Sequence, residues 1–208
     1  MKKSISMALA IILALGMIPF MVLSASAAQE GDYTYEVVGG EAIITNYSST
    51  APGGNITIPS QLGDYPVTKI DDDAFGSRDK LERITIPDTV ISIGARAFRG
   101  CTRLASISIP DSVVSIGEEA FYDCSFKSVT IPKSVETIGA HAIGFKGGYS
   151  VYTKISNFKL YCYKNTAGQT YASNNGFAFE LIDGTPFENF FRAIANFFRS
   201  IINALWPF

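Results

Sequence analysis

The side chains that could do chemistry in this 208-residue chain are few: one histidine, His141, and three cysteines, Cys101, Cys124 and Cys162. Nucleophilic catalysis would need that single imidazole oriented by a neighbour and set beside a nucleophile, and no local motif provides the arrangement. Glu118 and Glu119 offer adjacent carboxylates, the residue type that cleaves glycosides. The corresponding places elsewhere in the chain hold Ala95-Arg96 and Ala140-His141, so the type is not held there. His141 likewise shares its position with Asp73, Arg96 and Glu119, which reads as a solvated turn. Asp71 to Glu82 has the spacing of a calcium loop at positions 1, 3, 6, 9 and 12, but Phe75 stands where position 5 needs an oxygen. A solvated acidic turn and a weak surface calcium site are the two readings of that segment. No P-loop, dinucleotide fingerprint or zinc-protease motif occurs. The expectation is a chain with no catalytic residues, no metal and no cofactor.

Composition narrows the classes further. Hydrophobic residues make up 47%, enough for a packed core and too many for a disordered chain. Lysine and arginine number 17 against 19 acidic residues, so no basic excess exists to hold nucleic acid. Lys2 and Lys3 open the chain, and no charge follows until Glu30. Between them runs an apolar stretch from Met7 to Leu23, closed by Ser24-Ala25-Ser26-Ala27-Ala28. That order predicts a signal peptide over 1–28, cleaved after Ala27 or Ala28, with an uncleaved membrane anchor as its rival. Export permits disulfides. Cys101 and Cys124 occupy one position in neighbouring repeats, so they are either buried thiols or a bridge between stacked coils.

The elements that position all these residues form a repeat. Pro59, Pro87, Pro110 and Pro132 each close an Ile/Val-x-Ile-Pro segment, the last three at spacings of 23 and 22 residues. A period in the low twenties predicts a solenoid of coils that must stack to bury their apolar sides. Leu81-x-x-Ile84-x-Ile86, Leu104-x-x-Ile107-x-Ile109 and Phe126-x-x-Val129-x-Ile131 predict short strands with branched side chains inward, each stopped by its proline. Ile70, Ile93, Ile116 and Ile138 are expected to fill the core from the opposite wall. Ala74-Phe75, Ala97-Phe98 and Ala120-Phe121 alternate small and large core residues. Gly94, Gly117 and Gly139 are expected to supply backbone freedom at the bend between walls.

The segment from Leu104 to Cys124 reads Leu-x-x-Ile-x-Ile-Pro-x-Ser-Val-x-x-Ile-Gly-x-x-Ala-Phe-x-x-Cys, and this pattern resembles the BspA-type (Treponema-type) leucine-rich repeat of bacterial surface proteins. The resemblance covers about 33–183. It implies a β-rich solenoid of short parallel strands over 56–183, ending in a terminal coil, behind an N-terminal β cap over 29–55 whose hairpin turns at Gly39-Gly40. The period breaks between Gly144 and Asn157. The resemblance also implies an exported, non-catalytic adhesion protein whose strand face meets protein or glycan on host or neighbouring cells. Outward strand positions give the candidate binding face: Thr57, Glu82, Arg83, Thr85, Ser106, Ser108, Lys127, Ser128 and Thr130. Thr57, Thr85, Ser108 and Thr130 are expected to form one continuous hydroxyl column, on a face without aromatic anchors.

Residues 184–208 break away from the repeat. Thr185-Pro186-Phe187-Glu188 is a capping box with proline at the first helical position, and an amphipathic helix is predicted behind it. Phe190, Phe191, Ile194, Phe197, Phe198, Ile201, Ile202 and Leu205 share its apolar side, with Trp206 following. At about 1.5–3 kcal/mol for each large apolar side chain buried, such a face needs a cover. A membrane interface reached through 185–208, the solenoid itself, and a protein partner are the three candidates. The first of these makes the alternative function membrane-interface binding, with the solenoid as carrier.

Overall fold

The computed structural model describes residues 27–148 and 151–182; the expected signal peptide up to Ser26 and the predicted C-terminal helix lie outside the described residues. The described chain winds as a β-solenoid. Its back wall runs in the order β1 (Ala28–Glu30), β2 (Tyr33–Val38), β3 (Glu41–Tyr47), β6 (Tyr65–Ile70), β8 (Ser92–Ile93), β10 (Ser115–Ile116) and β12 (Thr137–Ile138). The short β5 (Gln61–Leu62) pairs antiparallel with β6. The N-terminal cap is antiparallel, and Gly39 and Gly40 both adopt positive φ at its hairpin turn, as expected. From β3 onward the wall is parallel, with Ile44, Ile70, Ile93, Ile116 and Ile138 in one column.

The front wall carries β4 (Gly54–Thr57), β7 (Leu81–Thr85) and β9 (Ser106–Ser108) as one parallel sheet. A second parallel sheet holds β11 (Ser128–Thr130), β15 (Lys159–Cys162) and β16 (Ala178–Leu181). The division falls where the third coil is a residue shorter ahead of its strand. Phe126 comes two residues after Cys124, whereas Leu104 comes three after Cys101.

A third wall is made of turns, and it too is hydrogen-bonded from coil to coil. The amides of Asp73, Phe75 and Ser77 donate to the carbonyls of Ala95, Ala97 and Arg99, and those of Arg96, Phe98 and Gly100 donate to Glu118, Ala120 and Tyr122. Asp73, Ser77, Arg96, Glu119, Asp123 and His141 all have φ between 51° and 59°. The variable column is therefore a row of left-handed turn residues, a conformation that a non-glycine side chain tolerates where a turn requires it.

Stacking sets the core. Tyr47, Phe75, Phe98 and Phe121 lie ring upon ring with centroids 5.0, 4.9 and 5.2 Å apart. These separations match the ~4.8 Å spacing of neighbouring strands, so one ring per coil fills the channel without a gap. Ile143 takes the fifth place, fully buried, and ends the ring row. All three cysteines are buried and none is in a disulfide among the described residues, and Cys101 and Cys124 lie in the same channel. The thiol of Cys101 donates to the Phe75 carbonyl at 3.1 Å, and that of Cys124 donates to Phe98 at 3.3 Å. Arg78 holds the equivalent place in the first coil and reaches the cap instead, donating to the Tyr47 carbonyl at 2.6 Å and to Asn46 at 2.9 Å.

Two expectations change, and the expected terminal coil gains a detail. Gly94, Gly117 and Gly139 are not at positive φ; they are glycines for lack of space. A Cβ on Gly117 would stand 2.4 Å from the Ala95 amide nitrogen, and one on Gly139 would meet Glu118 at the same distance. His141 is not freely solvated: its ring stacks on Tyr152 at 3.7 Å and meets Phe145 edge-on. Tyr152 is delivered by the segment that breaks the period, where β13 (Phe145–Lys146) and β14 (Thr153–Lys154) pair antiparallel. Finally, the terminal coil contains a helix, α1 (Ala167–Asn175). Thr166 caps its first turn, and Gly176, at φ 60°, closes it.

Replacing Gly117 by alanine is expected to cost about 1–3 kcal/mol, since the Gly94-Ala95 backbone of the coil beneath must yield. Gly148→Ala, where a Cβ meets nothing within 4 Å among the described residues, should stay within about 0.5 kcal/mol; urea denaturation of the two variants checks the contrast. Burial pushes the Cys101 thiol, and the phenols of Tyr33 and Tyr171, up to about 12 from ordinary values of 9.0 and 10.0. The unfolded chain ionises first, so this contribution is intact below pH 9 and is lost as pH rises toward 12. A midpoint that holds through neutral pH and falls above pH 9 is the expected result. At pH 8, Ellman's reagent should find Cys101, Cys124 and Cys162 unreactive until denaturant is added.

Candidate binding face

The nine strand-face residues singled out from the sequence all lie on the front wall. Thr57 ends β4, Glu82, Arg83 and Thr85 belong to β7, Ser106 and Ser108 to β9, and Ser128 and Thr130 to β11, with Lys127 immediately before it. Ser106 is half-buried and the other eight are exposed. Their register is set by the inward neighbours, Ile84, Val129 and Leu160 being buried and Ile56 and Ile107 partly so. Because strand side chains alternate, burying that row forces the residues on either side of it outward.

The hydroxyl column is not continuous. Thr57 pairs with Thr85, and Thr85 with Ser108. Thr130 pairs with Tyr161 instead, and Tyr161 with Glu180. A second column runs Asn55, Arg83, Ser106 in the first sheet and Ser128, Lys159, Ala178 in the second. The face therefore extends two strands beyond the predicted set, through Lys159, Tyr161 and Glu180. The absence of aromatic residues, expected from the sequence, holds only for the first sheet. Lys159 Nζ lies 5.0 Å from the centre of the Tyr161 ring and 2.7 Å from a Glu180 oxygen. Lys133 Nζ sits 4.7 Å above the ring of Tyr163. The signal was present as Lys159-x-Tyr161-x-Tyr163 alternating with Leu160 and Cys162, a period of two outside the aligned repeats.

The residues weighed for catalysis and metal binding are otherwise engaged. Glu119 is buried, faces Arg99 at 3.2 Å and accepts the Tyr152 hydroxyl at 2.7 Å, which pushes the Tyr152 phenol up. Glu118 is exposed. The Nδ1 of His141 is buried and meets no hydrogen-bond partner among the described residues, and the ring stacks on Tyr152. The three aspartates of the calcium-like loop diverge. Asp71 pairs with Lys69 at 2.7 Å, Asp72 accepts the Ala95 amide at 2.8 Å, and Asp73 takes the Arg96 guanidinium at 2.9 Å. Phe75 and Leu81 are buried within the same segment. The candidate membrane or partner residues Phe190, Phe191, Ile194, Phe197, Phe198, Ile201, Ile202, Leu205 and Trp206 lie outside the described residues.

Comparison with known proteins matches this geometry. The family model of the BspA type leucine rich repeat region fits residues 68–179 in six copies. A leucine-rich repeat protein of T. pallidum has a similar structure, with 25% identity, a TM-score of 0.54, and coverage of 65% of this chain and 71% of that one. One from Bacteroides capillosus has 33% identity and a TM-score of 0.52, covering 59% of this chain and 99% of its own. No curated protein matches the chain. With the strand-ending prolines, the inter-coil hydrogen bonds and the stacked ring row on one side and six matched copies on the other, the chain belongs to the BspA-type leucine-rich repeat family.

Proposed function

We propose that this chain is an exported, non-catalytic repeat protein whose front wall binds a protein or glycan ligand in adhesion at the cell surface. Members of the family are generally surface proteins that bind proteins. The observation that carries the reading here is the row of exposed, polar positions locked in register from Thr57 and Arg83 through Thr85 to Ser108, with Thr130 exposed on the neighbouring sheet. Side chains held on paired strands lose little further freedom on binding, which favours association. Export rests on the signal-peptide pattern of residues 1–28. Cleavage after Ala27 would leave β1 whole, since its first residue, Ala28, pairs with Tyr35. The non-catalytic part rests on His141, whose Nδ1 is buried and whose ring is stacked.

A panel of immobilised extracellular matrix proteins and glycans, probed with the full chain and with an Arg83→Glu/Thr85→Lys variant, tests the reading. Capture by at least one panel member is expected, with a loss of about tenfold or more in the variant and an unchanged thermal midpoint. Capture that survives the face substitutions but disappears when residues 184–208 are removed would transfer the activity to the C-terminal segment and a membrane or partner surface. Capture of nothing on the panel would count against adhesion.

A further inference from the structure

The sign of charge reverses along the front wall. In the second and third coils the residue after the strand-ending proline is Asp88 and then Asp111, both exposed. In the next coil it is Lys133. At the head of the strands the sequence of residues is Glu82, Ala105 and then Lys127. At the N-terminal end Arg103 is paired with Glu82, and Arg83 stands exposed beside Glu82 on β7. The other end carries Lys133 against Tyr163 and Lys159 against Tyr161, with Lys127 exposed just ahead of β11. Two of those ammonium groups lie against the two tyrosine rings, an attraction that holds long, flexible stems in place. This local excess does not come from a basic protein, because the whole chain carries a formal charge of −2.

Glu180 indicates what such a surface accepts. Its carboxylate meets Lys159 Nζ at 2.7 Å beside the Tyr161 ring, on the last strand of the sheet. It is a carboxylate of the chain itself placed where an outside carboxylate could come.

We propose that the C-terminal end of the front wall, built from Lys127, Lys133, Lys159, Tyr161 and Tyr163, docks an acidic polypeptide segment. The proposal rests on the reading of the front wall as the binding face and names the partner for one end of it. Polypeptide is favoured over an anionic glycan because leucine-rich repeat proteins generally bind proteins, and because tyrosine is a residue of choice at protein interfaces. Lysine carboxylate pairs at the rim steer encounter and set salt dependence.

A fluorescein-labelled oligoglutamate peptide, titrated with the full chain and read by anisotropy, is the probe. Binding that weakens steeply with added sodium chloride is expected. A Lys127→Gln/Lys133→Gln/Lys159→Gln variant should bind roughly tenfold more weakly. Glu180→Gln, which removes the internal competitor, should bind about two- to threefold more tightly. Asp64→Asn makes the same change in net charge at the turn between β5 and β6, and it should leave the affinity unchanged. Absence of oligoglutamate binding at low salt, indifference to the lysine substitutions, or an equal gain from Asp64→Asn overturns the proposal. Binding of heparin through the same lysines without oligoglutamate binding replaces the polypeptide with an anionic glycan and also overturns it. If a panel ligand is lost on Arg83→Glu/Thr85→Lys but not on the lysine substitutions, the acidic partner falls and the binding face stands. If neither set matters, both fall.

Discussion

Every coil of this protein must lie directly on the one before it, at the distance a backbone hydrogen bond allows. The constraint acts on all three walls, since the turn wall is bonded between coils just as the strands are. It explains features that look unrelated in sequence. Glycine recurs at 94, 117 and 139 because a Cβ there would collide with the backbone of the coil beneath. Phenylalanine recurs at 75, 98 and 121 because a flat ring stacks at strand spacing, and ring centres 4.9 and 5.2 Å apart leave no void. Cysteine recurs at 101 and 124 because a small, weakly donating side chain can be buried and still reach the carbonyl of the neighbouring coil. A bridge between the two would remove both of those donors.

What an alignment of repeats reveals is what coils share, and that part of the fold was readable before any coordinates. The inward columns, the proline stops and the paired cysteine positions 101 and 124 all follow from residues that recur at one period. Contacts unique to one coil leave no such trace. Tyr152 stacks on His141 only because an insertion folds back over the turn wall, so the solvated-turn reading of His141 failed for a reason outside the repeat. Arg78 stands at a cysteine position, and its bonds to the cap are visible only once the cap is in place. The glycines were read correctly as necessary but for the wrong cause, because sequence cannot separate a need for positive φ from a need for space. The helix α1 carried a Thr166-x-x-Gln169 start and a Gly176 stop, yet its buried residues are Gly168, Tyr171 and Ala172. Two of those three are too small to mark an apolar face.

The candidate face was half readable for a related reason. Six of its positions sit in the first sheet, inside aligned repeats, where outward residues are polar and unremarkable in type. The two strands that bring Lys159, Tyr161 and Glu180 lie past the insertion, where the period is lost. Parallel pairing restores the register across the interruption. Leu160, on the same strand as Tyr161, is buried at 0%, whereas Phe179 on the outermost strand is 37% exposed. The inward row thus continues to the edge, where it has no further coil of the described chain to cover it.

That arrangement bears on how the face can discriminate. The strands are rigid and the stack fixes the distance between columns, so selectivity must come from which side chains occupy them. A face with acidic residues at one rim and lysines on tyrosines at the other is electrically directional, and a ligand that is acidic throughout is repelled at Asp88 and Asp111 as it is drawn toward Lys127 and Lys133. Glu180 sharpens this, because an incoming carboxylate at Lys159 exchanges one ion pair for another and gains little there. The net attraction falls to Lys127 and Lys133, which lie at opposite ends of the segment containing β11. A partner that satisfies both must run along the strand and not across the stack, so its acidic residues need the spacing of an extended chain.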